Sequence, residues 1–168
     1  MGCDLEYLAG VVKGDGTLYH NKKAREYVVE IYDRDVEYVA ILVDMLKSCG
    51  LNPHVRSYGN YYRVRVNSRE FYESVRGAIE RLLVSPTVPF VRGLFDSDGT
   101  LYFDRRKRRL YPVVELGNSD WRVVNAAAVV LSSFGVKFSV KSYGGRFFKL
   151  VVRGTPCCLP ELSSLSTR

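Results

Sequence analysis

One block of this chain occurs twice. LAGVVKGDGTLY, from Leu8 to Tyr19, returns as VRGLFDSDGTLY, from Val91 to Tyr102, with every position displaced by 83. The matched pairs include Gly10 with Gly93, Asp15 with Asp98 and Gly16 with Gly99, and the same TLY follows. Further on, YVVEI at 27–31 answers PVVEL at 112–116, and an Asp follows at 35 and at 120. An apolar-periodic stretch then ends in SCG at 48–50 or SFG at 133–135, and RSYG at 56–59 matches KSYG at 141–144. The offset has become 85, so the second copy holds a small insertion, near the run DRRKRR at 104–109. A repeat of this size has four strands and few helices to cover them, so two copies packed together bury more surface than either alone. The expected halves are 1–85 and 86–168, joined in one compact body.

Local patterns predict the same elements in each copy. Asp4 caps a helix to about Lys13, with Leu5, Leu8, Ala9 and Val12 on one side, and Gly14 and Gly16 end it. A strand covers Tyr27 to Tyr32. A helix capped by Asp33 or Asp35 follows, with Val36, Val39, Ala40, Val43 and Leu46 at helical spacing and Gly50 just past its end. Two strands joined at Gly59-Asn60 put Tyr62, Val64 and Val66 on one face and Arg63, Arg65 and Asn67 on the other. A helix over 69–84 closes the copy, and Pro86 and Pro89 punctuate the junction. The second copy predicts helices at 90–97 and 121–134 and strands at 110–116, 136–142 and 146–152, with a turn at Gly144-Gly145. Leu159, Leu162 and Leu165 suggest a short packed helix in the tail. The fold class is therefore α+β, built from duplicated α-β-β-α-β-β-α units whose ends differ. Gly10, Gly14, Gly93 and Ser97 are small enough for the two repeated helices to approach closely along a shared seam.

Charge is uneven along the chain. Residues 1–89 hold 12 basic and 12 acidic side chains, whereas residues 90–168 hold 13 and 6, which accounts for the net +7. Such a surplus favours a polyanionic partner. The four cysteines, Cys3, Cys49, Cys157 and Cys158, form no CxxC pair and no zinc spacing with His20 and His54. Cys49 falls in an apolar helical pattern and reads as a small core residue. The sequence contains no apolar run of membrane-spanning length and no leader pattern, so a soluble intracellular protein with no membrane partner is expected.

The nonapeptides LAGVVKGDG at 8–16 and VRGLFDSDG at 91–99 resemble the signature of the LAGLIDADG homing endonucleases, and the likeness extends over nearly the whole chain. The resemblance implies a pseudo-two-fold protein with two antiparallel, saddle-shaped sheets and the signature helices packed at the central interface. It resembles the archaeal intron-encoded, single-chain members. It implies site-specific cleavage of double-stranded DNA in an intron-homing role, leaving 3′ four-base overhangs. Asp15 and Asp98 become the catalytic and metal-binding acids, with backbone carbonyls of Gly14 and Ser97 as further ligands. Mg²⁺ is the expected cofactor, with Mn²⁺ substituting and Ca²⁺ binding without supporting efficient cleavage. The residue types suit that chemistry, because hard carboxylate oxygens bind Mg²⁺ and a cation relieves the repulsion of two adjacent acids. Many family members carry a Gln or Lys after the strand that follows the signature, and this chain departs from that pattern. Arg34 and Asn118, or else a lysine such as Lys13 or Lys141, are the candidates for accessory catalytic roles. Asp96 has Lys13 as its counterpart and is not expected to be a shared ligand.

Alternation along the strands nominates a DNA face. It comprises Arg56, Tyr58, Arg63 and Arg65 in the first copy and Lys137, Ser139, Lys141 and Arg146 in the second. Some of these residues would read base edges in the major groove and some only phosphates. The run Arg105, Arg106, Lys107, Arg108 and Arg109 is expected to follow the DNA backbone or enter the groove. The expected partner is a long, asymmetric or imperfectly palindromic duplex bound by a monomer that needs no protein partner. The alternatives are an RNA maturase that assists intron splicing and a non-catalytic nucleic-acid-binding protein of the same fold.

Overall fold

The computed structural model describes residues 2–106 and 109–154. The first copy runs α1 (Leu5–Asp15), β1 (Gly16–Asn21), β2 (Glu26–Asp33), α2 (Val36–Ser48), β3 (His54–Ser57), β4 (Tyr62–Asn67) and α3 (Arg69–Val84). The second runs α4 (Val88–Asp98), β5 (Gly99–Arg106), β6 (Arg109–Asn118), α5 (Trp121–Ser133), β7 (Phe138–Tyr143) and β8 (Phe147–Arg153). The fold is α+β, with two antiparallel four-stranded sheets ordered β1-β2-β4-β3 and β5-β6-β8-β7. The order is the same in both, as duplication requires. The expected tail helix, and Cys157 and Cys158 with it, lie outside the described residues.

Side-chain caps set the helix starts. Asp4 Oδ1 accepts the Tyr7 amide at 3.0 Å, Ser68 Oγ accepts that of Phe71 at 3.2 Å, and Asp35 and Asp120 cap α2 and α5 in the same manner. Helices α2 and α5 end alike. Gly50 and Gly135 have φ of 75° and 68°. The Leu51 amide reaches back to the Leu46 carbonyl at 3.1 Å, and Val136 to Leu131 at 3.0 Å. These are Schellman closures, which need a left-handed residue past the helix end and so favour glycine at both SCG and SFG.

The compact units divide at Met1–Asp98 and Gly99–Arg168, whereas the repeat divides at 85/86. The difference has a packing cause. Phe90, Val91 and Leu94 of α4 are buried, as are Leu8, Ala9, Val11 and Val12 of α1, and the two helices pack directly on each other. Around them, Val29, Ile31, Val64 and Val66 face helices of the first unit and complete its core with Leu42, Leu46, Phe71 and Val75. In the second unit α5 covers β6 and β8, burying Leu116 and Leu150 with Val123, Val124 and Ala127. Among the described residues, no helix is long and apolar enough to cross a membrane.

Cys49 is not a core thiol. It is half-buried and forms a disulfide with Cys3, 46 residues away in sequence, with Cα atoms 4.8 Å apart. The residues before α1 and the C-cap of α2 meet in space, and that meeting pairs the sulfurs. Closing a loop of this length restricts the unfolded chain, so reduction should lower stability by about 2 kcal/mol. Urea unfolding with and without a reductant measures the effect, and an unchanged midpoint would refute it.

Candidate functional site

The repeated glycines are what bring the two acids together. A Cβ on Gly10 would collide with the Phe90 carbonyl and lie 3.1 Å from the Gly93 Cα. A Cβ on Gly93 would collide with the Tyr7 carbonyl and lie 2.9 Å from the Val11 amide nitrogen. One step along, a Cβ on Gly14 would fall 2.8 Å from the Ser97 Cβ and 3.5 Å from the Asp98 Cγ. Ser97 fits because its Oγ turns back to donate to the Gly93 carbonyl at 2.9 Å. The four small residues expected along the seam therefore all sit in it. Asp15 and Asp98, the last residues of α1 and α4, emerge side by side.

Asp15 is half-buried, and its carboxyl is pushed up to about 6 by burial first and then by the charges of Asp98 and Asp33. It lines an open cavity of about 510 Å³ with Tyr32, Asp33, Arg34 and Tyr61. Tyr32, Asp33 and Tyr61 are not legible in the sequence as cavity residues. Asp33 offers no metal-binding spacing, and Tyr61 reaches the cavity only because the β3–β4 turn folds back, its ring 6.1 Å from that of Tyr32. Asp96 is occupied elsewhere, accepting the Tyr7 hydroxyl at 2.9 Å and pairing with Arg92 Nε at 3.5 Å.

The carboxyl of Asp15 gives a pH signature. Its folded value lies above the unfolded 3.8, so between about pH 4 and 6 the folded state holds a proton that the unfolded state has lost. Metal-free protein should therefore lose stability as pH rises through that window. After allowance for solvent screening the loss is about 1–2 kcal/mol. Asp15→Asn, which removes the charge, should be the more stable protein at pH 7 in EDTA, with the gap closing by pH 4. Paired urea titrations at the two pH values check this, and a less stable variant at pH 7 would refute it.

The accessory candidates separate by position. Arg34 lines the cavity beside Asp15. Asn118 is the repeat counterpart of Asp33, and its Oδ1 accepts the Asp120 amide at 2.8 Å just as Asp33 accepts that of Asp35 at 2.7 Å. That gives Asn118 a local role in holding the turn before α5. Lys141 is exposed on β7, register-paired with Lys149.

Strand register sorts the basic residues by face. In the first sheet, Glu30 pairs with Thr17 and Arg65, Tyr32 with Arg63, and Arg63 with Arg56, so these side chains share one face. Tyr58 stacks on Tyr61 with ring centroids 5.2 Å apart and carries the guanidiniums of Arg56 and Arg63 at 5.3 and 5.1 Å. In the second sheet, Lys141 and Ser139 share a face with Glu115, Lys149 and Arg153, the last two being basic residues that add to the expected set. Lys137 is exposed just before β7 and Arg146 in the β7–β8 turn. Arg105 is exposed on β5, and the side chains of 106 to 109 lie outside the described residues.

Comparison with known proteins agrees with this architecture. Residues 86–152 match a family described as the LAGLIDADG-like domain. The uncharacterised protein MJ0314 of Methanocaldococcus jannaschii is 27% identical over 153 residues, covering 81% of this chain and 56% of its own. A second uncharacterised protein of that organism, MJ0398, is 32% identical over 104 residues, covering 57% and 38%. The chain thus spans about half, or less, of the curated relatives it matches. Among solved structures, I-DmoI in complex with DNA and Mn superposes with a TM-score of 0.71 at 19% identity, covering 98% of this chain and 97% of that one. The LAGLIDADG homing endonuclease I-GzeII in complex with its DNA target gives 0.66 at 8% identity, covering 99% and 85%.

Proposed function

We propose that this chain, which has the two-domain LAGLIDADG fold, is a site-specific endonuclease that cuts both strands of a long double-stranded DNA target. One observation carries the reading. The two repeats bring one matched pair of acids, Asp15 and Asp98, together at adjoining helix ends, and each acid leads directly into the first strand of a sheet with a basic polar face. Two scissile phosphates on opposite strands call for one such carboxylate each.

The donors suit a divalent cation. Asp15 is crowded by burial and by two like charges, a situation that bound positive charge relieves. Among the described residues no three His, Cys, Asp or Glu side chains are grouped so that they could hold a metal ion by themselves. Two protein carboxylates leave the remaining positions to water and phosphate oxygens, which is how Mg²⁺ is usually held in phosphoryl chemistry. When bound, such a cation neutralises developing charge on phosphate and acidifies a water. Asp15 and Asp98, with the carbonyls of Gly14 and Ser97, would hold it. Mg²⁺ is the proposed ion, Mn²⁺ a substitute, and Ca²⁺ a ligand that does not support efficient cleavage; I-DmoI has been solved with DNA and Mn or Ca, and a point variant of it with DNA and Mg. Arg34, beside Asp15, is the cation best placed to stabilise charge at the reacting phosphate, and Lys141 and Asn118 are secondary candidates. Arg56, Tyr58, Arg63 and Arg65 in one sheet, and Lys137, Ser139, Lys141 and Arg146 in the other, form the DNA contacts. The run at 105–109 supplies mainly phosphate contacts. The monomer reads an asymmetric or imperfectly palindromic site, leaves 3′ four-base overhangs, and works inside the cell as the product of an archaeal intron.

The test is a cleavage selection. The protein with Mg²⁺ or Mn²⁺ is incubated with a library of randomised duplexes, and the cut ends are sequenced. A recurrent sequence cut in both strands with a constant stagger is the expected result. Sequence-selective binding with no cut in either metal would replace the nuclease reading with a non-catalytic one. Preference for structured RNA over every duplex would favour the maturase.

A further inference from the structure

Each sheet carries one glutamate at the same place in the repeat, on the very face assigned to DNA. Glu30 of β2 and Glu115 of β6 are 85 residues apart, the offset of this part of the duplication. A carboxylate on a surface meant for phosphates is a cost, since it repels the ligand. Both are nevertheless held in built networks. Glu30 is 4% exposed, the only buried charged side chain among the described residues. Its carboxylate accepts the hydroxyls of Tyr32 at 2.7 Å and Tyr19 at 3.4 Å, and it faces Arg63 at 3.4 Å and Arg65 at 3.8 Å. Glu115 accepts the hydroxyl of Tyr102 at 2.9 Å and the ammonium of Lys149 at 2.8 Å. Tyr19 and Tyr102 are themselves repeat mates. The arrangement of tyrosine, glutamate and cation therefore occurs twice, with the cations changed between copies.

Stability does not account for it. A buried ion pair seldom outperforms apolar side chains of the same volume, because desolvation offsets the Coulomb gain. The network is also incomplete in itself. Arg63 Nε is buried without a hydrogen-bond partner, and Arg65 is tied down on several sides, its Nη2 to Glu26 at 3.0 Å and its Nε to Asn67 at 3.0 Å.

We propose that Glu30 and Glu115 are specificity-determining positioning residues, which hold Arg63, Arg65 and Lys149 down on their sheets so that these cations meet base edges and not phosphates. The proposal rests on the sheets being DNA faces. A guanidinium discriminates guanine only when its fork is aimed at the base edge, whereas a free cation gains as much from any phosphate. A carboxylate in contact fixes the aim and cancels part of the sequence-independent attraction.

Glu30→Gln and Glu115→Gln test this by binding alone, in EDTA, so that cleavage plays no part. Affinity for a duplex of random sequence is measured across a salt series, and a randomised duplex pool is put through binding selection. Each variant should bind the random duplex more tightly than wild type. The slope of log K against log salt should steepen by up to about 0.9 per cation released. The selected consensus should lose base preference in one half of the site for Glu30→Gln and in the other half for Glu115→Gln. A purely structural role would weaken all binding and blur both halves together, which would overturn the proposal. So would folded variants with unchanged slope and consensus. Should Glu30→Gln fail to fold, Glu115→Gln decides, since the Glu115 side chain is more open, at 16% exposed against 5% for Glu30. Wild-type protein that binds DNA but cuts none refutes the nuclease reading and leaves this one standing; wild-type protein that binds no duplex refutes both.

Discussion

Asp15→Asn and Asp98→Asn should each lower double-strand cleavage at least about a hundredfold while leaving DNA binding intact. Asparagine keeps the shape of the side chain at the helix end and can still hydrogen-bond. It lacks the charge that holds a divalent cation. Binding should be equal or tighter, since a negative charge near the phosphates has been removed. A residue needed only for folding would lose activity and stability together. For Asp15 the two should move in opposite directions, because its carboxyl is raised by burial, Asp98 and Asp33 and so disfavours the folded state at neutral pH. The assay is cleavage of supercoiled plasmid carrying the selected site, beside a gel shift at equal salt. Linear product from a single variant at near wild-type rate would remove that acid from the catalytic site. Accumulated nicked circles would show two sites acting independently, whereas loss on both strands would show that the acids act as one unit.

The second large effect is on stability. Gly10→Ala and Gly93→Ala should each cost about 3 kcal/mol or more, a fall in melting temperature of about 6–12 °C for a chain of this size. Alanine is the better helix former, and an open site would gain about 0.5–1 kcal/mol from the change. Here the methyl carbon meets backbone, which cannot rotate away: the Phe90 carbonyl from Gly10 and the Tyr7 carbonyl from Gly93. Relief requires moving α1 and α4 apart, which opens voids around Leu8, Val11, Phe90 and Leu94, all buried. Gly77→Ala is the control. It sits in α3 with nothing within 4 Å of the added carbon, and it should stabilise slightly. Similar melting shifts at all three positions would mean that helix propensity, and not close approach, governs the seam.

The duplication was legible because two copies constrain each other. It led to one element order in both copies, to the small-residue seam and to the pairing of Asp15 with Asp98, while the shared strand order within each sheet came from the structure. The caps at Asp4 and Asp35 and the glycine closure at Gly50 are local, and local chemistry is readable in a string; Ser68, Asp120 and Gly135 prove to do the same work at the other helix ends. What escaped depends on meetings between distant segments. The Cys3–Cys49 bond joins the chain before one helix to the end of another, and no spacing rule anticipates it. Asp33 and Asn118 close equivalent turns, yet only the partners around each reveal that Asp33 also adds its charge to the cavity. Glu30 and Glu115 lie in the matched YVVEI and PVVEL segments, but their face and their roles are visible only with the strand register and the tyrosines and cations that surround them.

The junction between each acid and its sheet contains no linker: α1 ends at Asp15 where β1 begins at Gly16, and α4 ends at Asp98 where β5 begins at Gly99. Strand side chains alternate with a period of two, so one residue inserted at either junction would turn every side chain of the following strand to the opposite face. If the sheets read DNA and the acids cut it, as proposed, the chain is a ruler with a fixed zero. Its graduations can be rewritten one side chain at a time, but they cannot slide along the scale. Under the proposed nuclease reading, a lineage built this way would change the letters it reads by point substitution, while the distance from letters to cut would be inherited unchanged.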